Sequence, residues 1–200
     1  MTAGRPRALD LDTAMPVILR VFWHDGYGGS TLDQVAAELG VTKPTLYRTL
    51  GEKEAIFAAA LDAYHQTYLA PAEEHLEQAA TLREALAGMF AVFVERILDE
   101  DLPRGCFLGD SAMTGEFDAG PIAATIGRLQ GRLAALVQER VQAAIKEGEL
   151  EPATSAASVV PFVLGQVSAL SAISRFHPAR SQLDSVVGYM LAGLPWADAR

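Results

Sequence analysis

Residues able to carry out chemistry are few in this 200-residue chain, and most of them stand alone. Cys106 is the single cysteine, which excludes an internal disulfide, and His24, His65, His75 and His177 are spaced too widely for any familiar zinc-ligand pattern. Ser111 and Ser171 lack the Gly-x-Ser-x-Gly context that presents a nucleophile. No catalytic centre, metal site or cofactor is expected. One stretch is different: Thr31, Thr42, Lys43, Pro44, Thr45, Tyr47, Arg48 and Lys53 gather hydroxyls and cations into a short region. Such groups hydrogen-bond to phosphate oxygens, and on the leading turn of a helix they reach base edges; Pro44 adds an apolar surface for a thymine methyl. Most also have a plain structural use. Thr31 and Thr42 suit helix N-caps contributing about 1 kcal/mol apiece; Lys43 and Thr45 suit solvated positions, Tyr47 a core, and Lys53 a pairing with Glu54. Arg5 and Arg7 make a basic arm able to touch a minor groove, or simply a frayed end.

Short helices must position these groups. Leu11, Ala14, Ile18, Val21 and Phe22 recur at helical spacing and predict a first helix from about Asp12 to His24, closed by Asp25-Gly26. With Asp12 as N-cap, Pro16 falls in the first turn, where its missing N–H loses no bond. Thr31-x-x-Gln34 fits a capping box for a second helix whose Leu32, Val35, Ala36 and Leu39 share a face, and Gly40 ends it. A third helix follows the Gly40-Val41-Thr42 turn, with Thr42 as its cap, Pro44 in its first turn, and Tyr47 turned to a different face from the apolar Leu46. Two short helices across so tight a turn form a helix-turn-helix, whose second helix can enter a major groove.

The run GYGGSTLDQVAAELGVTKPTLY from Gly26 to Tyr47, continued by Gly51-Glu52-Lys53-Glu54-Ala55-Ile56-Phe57, resembles the DNA-binding domain of TetR-type transcriptional regulators. The close match spans a quarter of the chain, and the remainder agrees only in length and helical character. The resemblance implies that Tyr47 and Lys53 hold phosphates and that the last two helices pair with those of a second copy. It further implies a ligand-responsive repressor, bound as a homodimer to a palindromic operator and released by a small-molecule effector. Arg48, Thr49 and Leu50 replace aromatic or histidine residues frequent at those places, which leaves operator choice open.

The rest of the sequence also reads as helical. Alanine occurs 34 times, half of the residues are apolar, and hardly any stretch alternates as a half-buried strand would. A fourth helix is expected from Lys53 to Ala79, kinked or broken at Pro71, then helices over 82–98, 105–113, 121–147, 154–176 and 182–194. The expected fold is all-α with about nine helices: a helix-turn-helix DNA-binding module over residues 1–52 and a helical ligand-binding and dimerisation domain over 53–200. Charge leaves DNA open as a partner. The net −9 is concentrated beyond residue 57, where ten Lys or Arg face eighteen Asp or Glu, against six and seven before it. No apolar run reaches the roughly 18 to 20 residues that cross a bilayer, and no signal-peptide core opens the chain, so a soluble, cytoplasmic protein without membrane contact is expected.

Phe90, Phe93, Cys106, Phe107, Met113, Phe117, Phe162 and Gln166 are the expected lining of a mainly apolar effector cavity, although each would serve equally as core. Cys106 reads first as a packing residue and second as a redox thiol. Val160, Val163, Val167, Leu183, Val187, Met190 and Leu191 are the expected dimer contacts, because small residues beside them allow a second helix close approach. The partners expected are double-stranded operator DNA, a second copy of the chain, and an effector whose identity the sequence does not give. The rival reading is a helical small-molecule-binding protein or enzyme without DNA-binding activity; the missing convergence of acid, base and nucleophile weighs against an enzyme.

Overall fold

The computed structural model describes residues 9–197, so the arm carrying Arg5 and Arg7 lies outside the described residues. The elements are helices α1 (Leu11–Gly29), α2 (Leu32–Glu38), α3 (Lys43–Leu50), α4 (Lys53–Tyr64), a π-helical turn (His65–Leu69), α5 (Ala70–Gln78), α6 (Leu82–Leu98), α7 (Phe107–Met113), α8 (Gly120–Glu147), α9 (Ala156–Ser174) and α10 (Arg180–Ala192). Because α4, the π turn and α5 follow without interruption, the described residues form nine helical rods joined by short turns. Among the described residues, one bridge, Leu150 with Trp196, ties the segment after α10 to the α8–α9 turn.

Two local expectations change. Asp10, not Asp12, caps α1, its carboxylate accepting from Asp12 N at 3.3 Å, so Pro16 sits inside the helix beyond the first turn. The helix tolerates it on an exposed face and is broken only at Gly26, where φ is +68°. The kink or break expected at Pro71 takes the form of a local widening rather than a break. Proline cannot donate to the carbonyl four residues back, and its ring crowds that carbonyl. The π turn just before it, with Ala70 N–H bonded to His65 O, absorbs the conflict and keeps the rod continuous.

The core runs without a gap from Ile18 and Phe22 on α1, through Phe57, Leu61 and Tyr64 on α4, to Leu86 and Phe90 on α6 and Leu183 on α10. Phe22 meets Phe57 edge-on at 4.9 Å, and Phe57 meets Phe107 on α7 at the same distance. The helix-turn-helix is therefore cemented to the body through α1 and α4 rather than hung on a linker.

The expectation about apolar runs is corrected by α9. Its 19 residues are long and apolar enough to cross a membrane by length and composition, an 18-residue stretch of it having a mean hydropathy of 1.7 with only 22% buried. Pro161, Gly165 and Gln166 interrupt the run in the sequence without making the helix polar as a whole. Its outer side exposes Phe162, with Phe176 just past its end and Tyr189 on the neighbouring α10, the last two 82% and 78% exposed.

Candidate functional site

In the helix-turn-helix, Leu46 is the one buried residue of α3, and with the half-buried Leu50 it pins that helix to the module, while Pro44, Tyr47, Arg48 and Thr49 face outward. Gly40, at φ +64°, makes the left-handed turn that sets α3 across α2. Pro44, Tyr47 and Arg48 are exposed, with Tyr47 at 39%, and Thr31 and Thr42, which open α2 and α3, are exposed as well. Thr31 caps α2 as expected, accepting from Gln34 N at 3.1 Å. The reciprocal half of the capping box is absent: Gln34 Nε2 donates to Asp25 Oδ2 at 2.7 Å and so ties α2 to α1. Asp25 also meets His24 Nδ1 at 2.7 Å, and these two bonds, His24 first, hold its carboxyl below the ordinary value. Thr42 stands at the N-cap of α3 but makes no capping bond; its hydroxyl pairs with that of Thr45 at 3.0 Å. Both hydroxyls, free of the backbone, can turn toward a ligand.

The two lysines differ. Lys43 is half-exposed and pairs with the exposed Asp33 at 2.8 Å, an arrangement that raises its pKa and that a phosphate can replace at little cost. Lys53 does not pair with Glu54. Its ammonium donates to Ser30 O at 2.7 Å and to Tyr27 O, and it lies 4.3 Å from the centre of the Tyr27 ring. Burial lowers its pKa. Lys53 thus closes the end of α1, with one of its three N–H donors left for a phosphate.

A cavity of about 660 Å³ lies between α5, α6, α7, α8 and α9. Of the residues expected there, Phe93, Cys106 and Met113 line it. Phe90 and Phe107 are core, 1% and 2% exposed. Phe117 packs on Tyr27 and Phe57 at the junction with the helix-turn-helix, Phe162 lies on the outer face of α9, and Gln166 is half-buried outside the wall. The bias in the expectation was toward aromatics; the wall is instead made by Leu69, Leu129, Leu133 and Leu164, by Gly127 and Gly131, and by one buried acid, Glu73. Cys106 caps α7, its sulfur accepting from Gly109 N at 3.4 Å and from Tyr64 Oη at 3.4 Å. Arg96 donates to Tyr64 Oη and to Gly105 O, both at 2.8 Å, and burial pushes the Tyr64 phenol well up.

The expected dimer contacts divide. Val163, Leu183 and Met190 are buried in the subunit's own core, and Val160, Val167, Val187 and Leu191 are half-buried against it, Val167 also lining the cavity. The face left open carries Phe162, Gly165 and Ala172 of α9 and Gly188 and Tyr189 of α10. Amphipathic period identifies a buried stripe without saying whether the same chain buries it.

Family models describing bacterial regulatory proteins of the tetR family and the tetracyclin repressor-like C-terminal domain match residues 16–60 and 83–190, the second alone covering over half of the chain. The chain belongs to the TetR family. It is a DNA-binding transcriptional regulator, and its two halves follow the family's order of helix-turn-helix first and helical body second. Its relatives include the HTH-type transcriptional repressor ComR of Escherichia coli (strain K12), 28% identical over 189 residues that cover 94% of this chain and 90% of ComR. Among solved structures, a cysteine-substituted form of the TetR-family regulator CifR, in complex with a 26-base-pair operator duplex, is 29% identical with a TM-score of 0.85 over 96% of this chain and 100% of CifR. FadR of Bacillus subtilis in complex with stearoyl-CoA shares the fold at 15% identity, with a TM-score of 0.73 over 92% of this chain and all of that one. The TetR-family assignment agrees with the exposed α3 and with the cavity in the helical body.

Proposed function

We propose that this TetR-family regulator is a repressor that binds a palindromic operator as a homodimer and leaves it when a small molecule fills the cavity. The carrying observation is an outward-facing α3, anchored by the buried Leu46 and the half-buried Leu50, in a chain whose body holds a cavity walled by the same rod that meets the helix-turn-helix. Thr42, Lys43, Pro44 and Thr45 lead α3 into the major groove. Thr31, Tyr47, Arg48 and the free donor of Lys53 take phosphates. Two copies of α3, about 34 Å apart, would meet successive grooves on one side of the duplex.

The route from cavity to DNA is short. Cys106, Leu108, Gly109, Ala112 and Met113 put α7 in the cavity wall, and Phe107 on that helix stacks on Phe57 of α4. Phe117, just beyond, touches Tyr27 at 5.4 Å, whose carbonyl receives Lys53. A ligand that moves α7 thereby moves the C-terminal end of α1 and the N-terminal end of α4, and a differential affinity worth about 1 to 3 kcal/mol is typical of such coupling. The open face of α9 and α10 supplies the dimer contact. We place the division between the DNA-binding module and the effector domain at residues 52 and 53, within one continuous core, and the site of action in the cytoplasm. Titration of the purified protein against duplex DNA from beside its own gene tests the reading. Salt-sensitive, sequence-selective binding supports it, and binding that ignores sequence or fails entirely refutes it.

A further inference from the structure

Among the described residues, Glu73 is the only charged one in the cavity wall. It is 3% exposed; one carboxylate oxygen accepts from Arg132 Nε at 2.6 Å and the other faces His65 Nε2 at 3.0 Å. Arg132 and His65, which bond the acid, are not among the wall residues, and the remaining polar groups of the wall are Gln130, Ser168, Ser171 and the Cys106 thiol. A carboxylate offers about four acceptor directions, so Glu73 keeps capacity for another donor. An anion entering here meets a buried carboxylate and finds no cation in the wall to receive it. An N–H head finds an acceptor.

The apolar part of the wall has its own signal. Gly127 and Gly131 lie four residues apart on α8, inside a 28-residue helix, where each glycine costs about 1 kcal/mol relative to alanine. A Cβ at either position would meet nothing within 4 Å, so no neighbouring side chain requires glycine there. What the missing side chains leave is width along the cavity.

We propose that the effector is an elongated apolar amine, its ammonium set against Glu73 and its hydrocarbon body laid along Leu129, Leu133 and Phe93 in the width left by Gly127 and Gly131. This rests on the effector reading above and names its ligand class. The test uses the purified full chain and three probes of equal chain length: dodecylamine, dodecanol and dodecanoate, all below micelle-forming concentration. Each displaces N-phenyl-1-naphthylamine from the cavity and shifts the melting temperature, while operator binding is measured on the same preparation. Dodecylamine is expected to displace the dye at about tenfold lower concentration than dodecanoate, with dodecanol between. Glu73→Gln is expected to erase that order. Because the substitution also deprives Arg132 of its partner and can cost the fold, Gly131→Leu is the independent variant. It should keep its helix content and lose about tenfold in affinity for every probe. Dodecanoate binding as well as dodecylamine overturns the proposal, and so does Gly131→Leu binding like the parent chain or losing only its dimer. Operator binding without amine preference defeats this inference alone; amine preference without operator binding defeats the repressor reading alone.

Discussion

Leu46 and Tyr47 show how one peptide unit separates anchoring from recognition. Leu46 is fully buried and Tyr47 is 39% exposed, a division readable from the sequence because adjacent residues on a helix point about 100° apart. Tyr47→Phe removes the phenolic hydroxyl without touching the anchor. Operator affinity is expected to fall by about 1 kcal/mol, alike for every sequence tested, with no change in melting temperature, in a titration that follows both. Lys53 was not readable in this way. Its partners are carbonyls 23 and 26 residues away, and backbone acceptors leave no mark in residue identity. Lys53→Met is expected to lower unfolding free energy by about 1 to 3 kcal/mol by leaving those carbonyls without their donor, and to weaken operator binding as well. Denaturant unfolding beside DNA titration separates this outcome from a purely phosphate-binding lysine, whose loss would leave stability unchanged.

Among the elements, helix number and order were legible because Gly, Pro and apolar spacing punctuate the chain at each turn, whereas ends and linkages were not. Gln34 is the instructive case: the local pattern assigns its side chain to Thr31, and tertiary geometry gives it to Asp25. The π turn before Pro71 was likewise hidden, since a proline signals a conflict without stating how the helix resolves it. The Asp25 linkage carries a pH consequence. Its folded pKa is lowered, so its contribution is fully present above the ordinary aspartate value of about 4 and is lost as pH falls through the lower folded value. Melting between about pH 6 and pH 2 should show the α1–α2 unit of the parent chain losing stability more steeply than that of Asp25→Asn. Parallel acid limbs would show that the link contributes nothing.

For the whole molecule, the cavity was expected from the middle helices and is found there, but its wall was misassigned. Aromatics such as Phe90 and Phe107 serve the core, while leucines, two glycines and Glu73 make the space. Composition marks which residues avoid water; only the packed fold says which of them face a void. The same limit applies to the open face of α9 and α10, whose Tyr189 is 78% exposed. Tyr189→Arg is expected to shift the protein from dimer to monomer in sedimentation velocity and to weaken operator binding by at least about tenfold, since one half-site alone must then hold it. A monomer that binds as well as the parent would remove dimerisation from the account. The central claim is that paired α3 helices read duplex sequence. Selection of bound duplexes from a random-sequence pool by the purified protein tests it most directly. An enriched inverted repeat with half-site centres about one helical turn apart, or a multiple of that spacing, is the predicted result. A pool that stays random after repeated rounds, or enriches a motif without two-fold symmetry, would contradict it.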